Sequence, residues 1–171
     1  AVAHMAPAKP AAKSNGKGRC AVATDEGVRT SPERIQLEAD LHRAVEREEF
    51  SVLYQPIVLL GTGRTMAFEA LARWNHPRFG LMSPGEFVPV QEQIGLVDAF
   101  TVWVLESAQR QCLACHEAGL RIGVSVNLSA CNVLDLRFPC RVQETLSRTG
   151  LSPSWLRLEV TESAVMQNPQ R

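Results

Sequence analysis

The stretch from Arg64 to Trp74, RTMAFEALARW, constrains the chain more than any other. Its apolar side chains alternate, with Met66, Phe68, Ala70, Ala72 and Trp74 on one side and Ala67, Glu69, Leu71 and Arg73 on the other, which is the period of a β-strand. A strand with one greasy face is expected to meet helices on that face. Glu69, Leu71 and Arg73 then point together into a barrel interior or cleft. A carboxylate two places along the same strand face from a guanidinium suits a site that holds a metal and a phosphate. Taken alone, the same two residues also read as a same-face ion pair.

The flanking sequence predicts what covers that strand. Ser31-Pro32 opens a helix, with Ser as N-cap and Pro at the first helical position, and Leu37, Leu41 and Val45 mark its buried face through about Glu49. A strand follows over 51–59, and Gly61-Thr62-Gly63 turns it back into the Arg64 strand as an antiparallel hairpin. Ser83-Pro84 opens a helix that ends near Gly95, and a long amphipathic helix over 98–118 is closed by Gly119. A strand over 121–128, a loop, a helix over 140–149 stopped by Gly150 and a strand over 155–160 come next. The order helix, strand, helix, strand is the rhythm of a parallel α/β fold. Thr161 to Arg171 begin a further helix.

Each strand repeats the polar face. Gln55 alternates with Tyr54 and Pro56, Ser125 and Asn127 with Val124, Val126 and Leu128, and Arg157 and Glu159 with Leu156, Leu158 and Val160. The 171 residues fit about one domain. The 18 basic and 18 acidic residues cancel, so no global field recruits a nucleic-acid polymer or anionic lipid, and an anionic ligand must be held by local charges. Five cysteines at uneven spacing argue against a disulfide framework and for a reducing, cytoplasmic setting. Cys112 and Cys115, followed by His116, continue the apolar stripe Phe100, Val104, Ala108, and no second Cys or His pair stands at zinc-ligand spacing, so they read as packing. No apolar run approaches the roughly 18 residues of a membrane span, although a parent protein could be anchored through other regions.

Landmarks in a fixed order carry a resemblance: Tyr54-Gln55-Pro56-Ile57-Val58, Glu69-Ala70-Leu71, Arg73-Trp74-Asn75-His76-Pro77, Ser83 to Pro89 (SPGEFVP), Ser125-Val126-Asn127-Leu128-Ser129 and Glu159-Val160-Thr161-Glu162. From about Leu37 onward the chain resembles the EAL family, bacterial enzymes that linearise cyclic di-GMP. The resemblance implies an α/β, TIM-like barrel of the EAL type, here about its first half, in which polar residues at the carboxyl ends of strands form the site. It implies Glu69, Asn127 and Glu159 as ligands of Mg²⁺ or Mn²⁺, with Glu69 catalytic, and Gln55, Leu71 and Arg73 as contacts to the dinucleotide. Carboxylates and an amide carbonyl are hard oxygen donors, suited to those ions rather than to zinc. A homodimer is implied too.

The organisation expected is a flexible leader over 1–13, a tail and linker over 14–30, and a partial EAL domain over 31–171. Lys13 to Cys20 (KSNGKGRC) resembles the closing hairpin of a GGDEF domain, with a basic flexible loop as the alternative. Glu162 belongs to the family motif, but a carboxylate at a helix start also stabilises the helix dipole. His76 reads as fixing a turn and Trp74 as core. The family's Asp-Asp-Phe-Gly segment, the lysine after it, and its distal glutamate and glutamine are not found. The function expected is metal-dependent hydrolysis of cyclic di-GMP by the full-length parent, with residues 1–171 inactive alone. The alternative is a degenerate domain that binds cyclic di-GMP or a partner without turnover.

Overall fold

The structure, a computed structural model, describes residues 32–160. The chain divides into compact units 1–37 and 38–171, and of the first only the opening turns of one helix are described. The leader, the GGDEF-like segment, Ser31, Glu162 and the terminal helix all lie outside the described residues.

Helix α1 runs over Pro32–Ala44. Leu41 and Ala44 are buried, but Val45 is exposed, because the helix ends one residue before it and the apolar stripe ends with the helix. Strands β1 (Phe50–Leu59) and β2 (Arg64–His76) form the expected hairpin. Its turn is closed by the amides of Thr62 and Gly63, which both donate to the Leu59 carbonyl at 3.1 and 2.8 Å, and Gly63 adopts a φ of 66° that favours glycine. The register slips where Ile57 faces Ala67 but Val58 faces Thr65. Met66 falls in this bulge and is exposed, contrary to its expected place on the helix-covered face.

A short strand, β3 (Gly80–Met82), pairs antiparallel with the end of β2. Helices α2 (Pro84–Ile94) and α3 (Val97–Glu117) follow. Glu86 reaches back to accept from the Ser83 amide and hydroxyl at 2.7 and 2.9 Å, and Gly95, at φ 74°, caps the C-terminus of α2. Strand β4 (Gly123–Leu128) runs parallel to β2, and β5 (Leu156–Val160) parallel to β4, in the sheet order β1-β2-β4-β5. Between them lie a short helix α4 (Ala130–Leu134) where a loop is expected, α5 (Phe138–Thr149), and a 3₁₀ turn at Pro153–Trp155. Gly123 lets β4 pass that turn, since a Cβ there would sit 3.1 Å from the Trp155 carbonyl oxygen.

The core lies between the sheet and α2–α3. Phe50, Trp74, Phe87 and Phe100 pack ring against ring with centroids 4.9 to 6.0 Å apart. Trp74 and Phe87 have no exposed surface. A buried aromatic of this size contributes about 1.5–3 kcal/mol by removal of apolar area from water. The Trp74 indole still satisfies its N–H by donating to a Glu49 carboxylate oxygen at 2.9 Å. Among the described residues no helix is long and apolar enough to cross a membrane.

Candidate functional site

Strand pairing brings the expected residues onto one face. Gln55 of β1 lies opposite Glu69 of β2, Glu69 opposite Ser125 of β4, and Ser125 opposite Arg157 of β5, forming a row across the sheet. One pleat further along, Leu53 faces Leu71, and Asn127 faces Glu159. The other faces carry Ala70, Ala72 and Trp74 of β2 and Val124, Val126 and Leu128 of β4, all buried. The period of two thus turns the polar side chains away from the helices and toward each other.

Glu69 and Asn127 touch. The Asn127 Nδ2 donates to Glu69 Oε1 at 2.7 Å, a short bond to a charged acceptor. The same-face ion pair of Glu69 with Arg73 is not formed among the described residues. Arg73 instead donates from Nη1 to the Ala72 carbonyl at 2.8 Å. Gln55 is exposed, and Leu71, Arg73 and Glu159 are half-buried.

Strands β2 and β4 pair only from Ala67 to Ala70 and from Gly123 to Val126. Beyond that point a cavity of about 640 Å³ opens between their ends and helices α2 and α3. Leu71 and Asn127 stand on its wall with Phe100, Thr101 and Ser129, and among the described residues Glu92 supplies its only ionisable group. Gln55, Glu69, Arg73 and Glu159 do not line it. The loop after Asn127 is held by Ser129 and Asn132. The Asn132 carbonyl accepts from the Ser129 amide at 3.1 Å and the Thr101 hydroxyl at 3.0 Å. Sequence reading passed over this brace. Its signal was the Ser129-x-x-Asn132 spacing, a capping arrangement at a helix start.

His76 is buried, and its Nδ1 accepts from the amides of Arg78 and Phe79 at 3.0 and 3.2 Å, while Nε2 lies 3.3 Å from Asp40. It fixes the turn between β2 and β3. Cys112 is buried, and both its Sγ and the His116 Nε2 approach the Ile122 carbonyl, at 3.2 and 2.9 Å. Cys115 is half-buried. Among the described residues no group of three or more His, Cys, Asp and Glu side chains is placed to hold a metal. Glu69, Asn127 and Glu159 combine two carboxylates with an amide. Their donors, all oxygen once Asn127 turns its carbonyl inward, fit a hard divalent cation.

Known proteins share this fold. The EAL domain family model matches residues 38–171. MucR of Pseudomonas aeruginosa, a bifunctional diguanylate cyclase/cyclic di-GMP phosphodiesterase, is 41% identical over 137 residues, covering 80% of this chain and 20% of that protein. NbdA of the same organism, a cyclic di-GMP phosphodiesterase, is 37% identical over 137 residues, covering 80% of this chain and 18% of its own. The chain thus spans about a fifth of the length of these curated relatives. The solved PaMucR phosphodiesterase in complex with c-di-GMP superposes with a TM-score of 0.74 at 41% identity, covering 78% of this chain and 55% of that one. The α/β arrangement is therefore about half of the TIM-like barrel of that fold, and the chain belongs to the EAL domain family.

Proposed function

We propose that the protein carrying this chain hydrolyses cyclic di-GMP to the linear dinucleotide with Mg²⁺ or Mn²⁺. The observation that carries the reading is the convergence of Glu69, Asn127 and Glu159 on one face, with the first two in contact at 2.7 Å. The relatives named for this activity support it. Glu69, Asn127 and Glu159 would hold the ion, and Glu69 is the residue whose loss should be felt most in the chemistry. When bound, such an ion supplies charge neutralisation at the phosphate and activation of water.

The remaining residues bind and orient. Arg73 stands on the same face as Glu69 and presents a planar fork of donors that matches a phosphate. Gln55, opposite Glu69, offers an amide to the dinucleotide's polar edge. Leu71, at the mouth of the cavity, offers an apolar seat for a nucleobase beside the polar face. Residues 1–171 alone are expected to leave cyclic di-GMP intact, because an octahedral ion wants six ligands and in-line displacement with paired metals needs a further carboxylate. The site is expected to work in the cytoplasm, in keeping with five unevenly spaced cysteines, and in a homodimer.

Chromatography of cyclic di-GMP incubated with the intact protein tests this. Linear product should appear with Mg²⁺ or Mn²⁺ and vanish with a chelator. Glu69→Ala should abolish turnover. Arg73→Ala should raise KM on the order of tenfold or more, the scale of a lost charged hydrogen bond, with a smaller effect on kcat. An intact protein that binds the dinucleotide and never turns it over would hand the case to the receptor reading.

A further inference from the structure

We propose that Ser125 is a positioning residue for Glu69: its hydroxyl takes hold of the Glu69 carboxylate when the Asn127 amide turns away to face a divalent cation. The proposal rests on the metal reading above. Ser125 has no exposed surface, and its Oγ has no hydrogen-bond partner among the described residues. A buried hydroxyl left in that state destabilises the fold, and an alanine of nearly the same shape would escape that cost. Such a group is held in reserve for a second state of its surroundings.

Its surroundings say which state. Ser125 lies directly opposite Glu69 on one flank and Arg157 on the other, on the polar face and one pleat before Asn127. The Asn127 Nδ2 donates to Glu69 Oε1 at 2.7 Å. An amide carries its oxygen and nitrogen in divergent directions. Asn127 therefore cannot present its carbonyl to an ion bound by Glu69 and keep that N–H bond in the same geometry. Glu69 then loses the bond that orients it.

The Ser125 side chain can reorient about its Cα–Cβ and Cβ–Oγ bonds with no change in the strand, and, unlike the exposed Gln55 on the other flank of Glu69, it is buried with no other partner among the described residues. Arg157 can only donate. A hydroxyl that accepts from Arg157 still has its own proton to give to Glu69. The exchange keeps the carboxylate aimed while the amide changes partner, which is the task of a group that orients a metal ligand.

Mn²⁺ binding followed by the electron paramagnetic resonance signal of the free ion, with thermal melts of the metal-free protein, tests this on the intact protein. Ser125→Ala should bind Mn²⁺ on the order of tenfold more weakly, as when an outer partner of a metal ligand is lost. Its metal-free melting temperature should be unchanged or raised, because an orphaned hydroxyl has been removed. Ser125→Thr, which keeps the hydroxyl, should bind like the wild type. A Ser125→Ala protein that binds Mn²⁺ as tightly as the wild type overturns the proposal, as does one whose weaker binding comes with a matching fall in melting temperature. A wild type that binds no Mn²⁺ would overturn the metal reading itself, and this proposal with it.

Discussion

At the scale of single residues, the proposed site depends on side chains that stay where the strand period puts them. Glu69, Ser125, Asn127 and Glu159 share a face because each stands an even number of positions from the next polar residue on its strand. The sequence could not show that Glu69 bonds Asn127 rather than Arg73, because that choice depends on the register between β2 and β4, a long-range property. Cys112 is the clearest case of a residue that chemistry tempts and structure retires. Burial, and after it the neighbouring Cys115, pushes its thiol up to about 11. The unfolded thiol therefore ionises first as pH rises. The thiol's contribution to stability is intact below about pH 9 and is lost as pH climbs toward about 11. Urea denaturation across that window should show the wild type losing stability more steeply than Cys112→Ala, whose side chain does not titrate. Parallel slopes would contradict the burial account.

At the scale of elements, polar clamps set the helices against one another once apolar packing has brought them close. Gln109 of α3 has no exposed surface, yet its amide nitrogen donates to the Thr145 hydroxyl and its carbonyl accepts from the Thr149 hydroxyl, both at 2.8 Å. Both partners lie on α5, so this buried amide joins the two helices. Gln109→Ala should cost about 2–4 kcal/mol by chemical denaturation, since it opens a cavity and removes two hydrogen bonds between the helices. A loss below about 0.5 kcal/mol, the level of an ordinary surface substitution, would show that the clamp is idle. The long, strongly patterned elements were legible in advance: the β1–β2 hairpin, α2 with its Ser83-Pro84 start and Gly95 stop, and α3. The elements that were not legible are short. Strand β3 spans only Gly80–Met82 and exists because it pairs with the end of β2, and α4 spans only Ala130–Leu134, held by Asn132 against Thr101. Such elements owe their form to tertiary partners rather than to local pattern.

At the scale of the whole molecule, the proposed site rests on parallel strands that set Asn127 and Glu159 near their carboxyl ends, on the same face as Glu69 in the middle of β2. Strand β2 gives Glu69, β4 gives Asn127 and β5 gives Glu159, and the gap where β2 and β4 part leads into the cavity beside Leu71. The central claim is that these donors share one divalent cation. Anomalous scattering from crystals of the intact protein soaked in Mn²⁺ reads that directly. The account predicts a peak on the polar face bounded by carboxylate oxygens of Glu69 and Glu159 and by the Asn127 carbonyl oxygen, at about 2.0–2.3 Å, with the Asn127 amide turned away from its bond to Glu69. A soaked crystal in which Asn127 still donates to Glu69, with the ion absent or bound elsewhere, would contradict it.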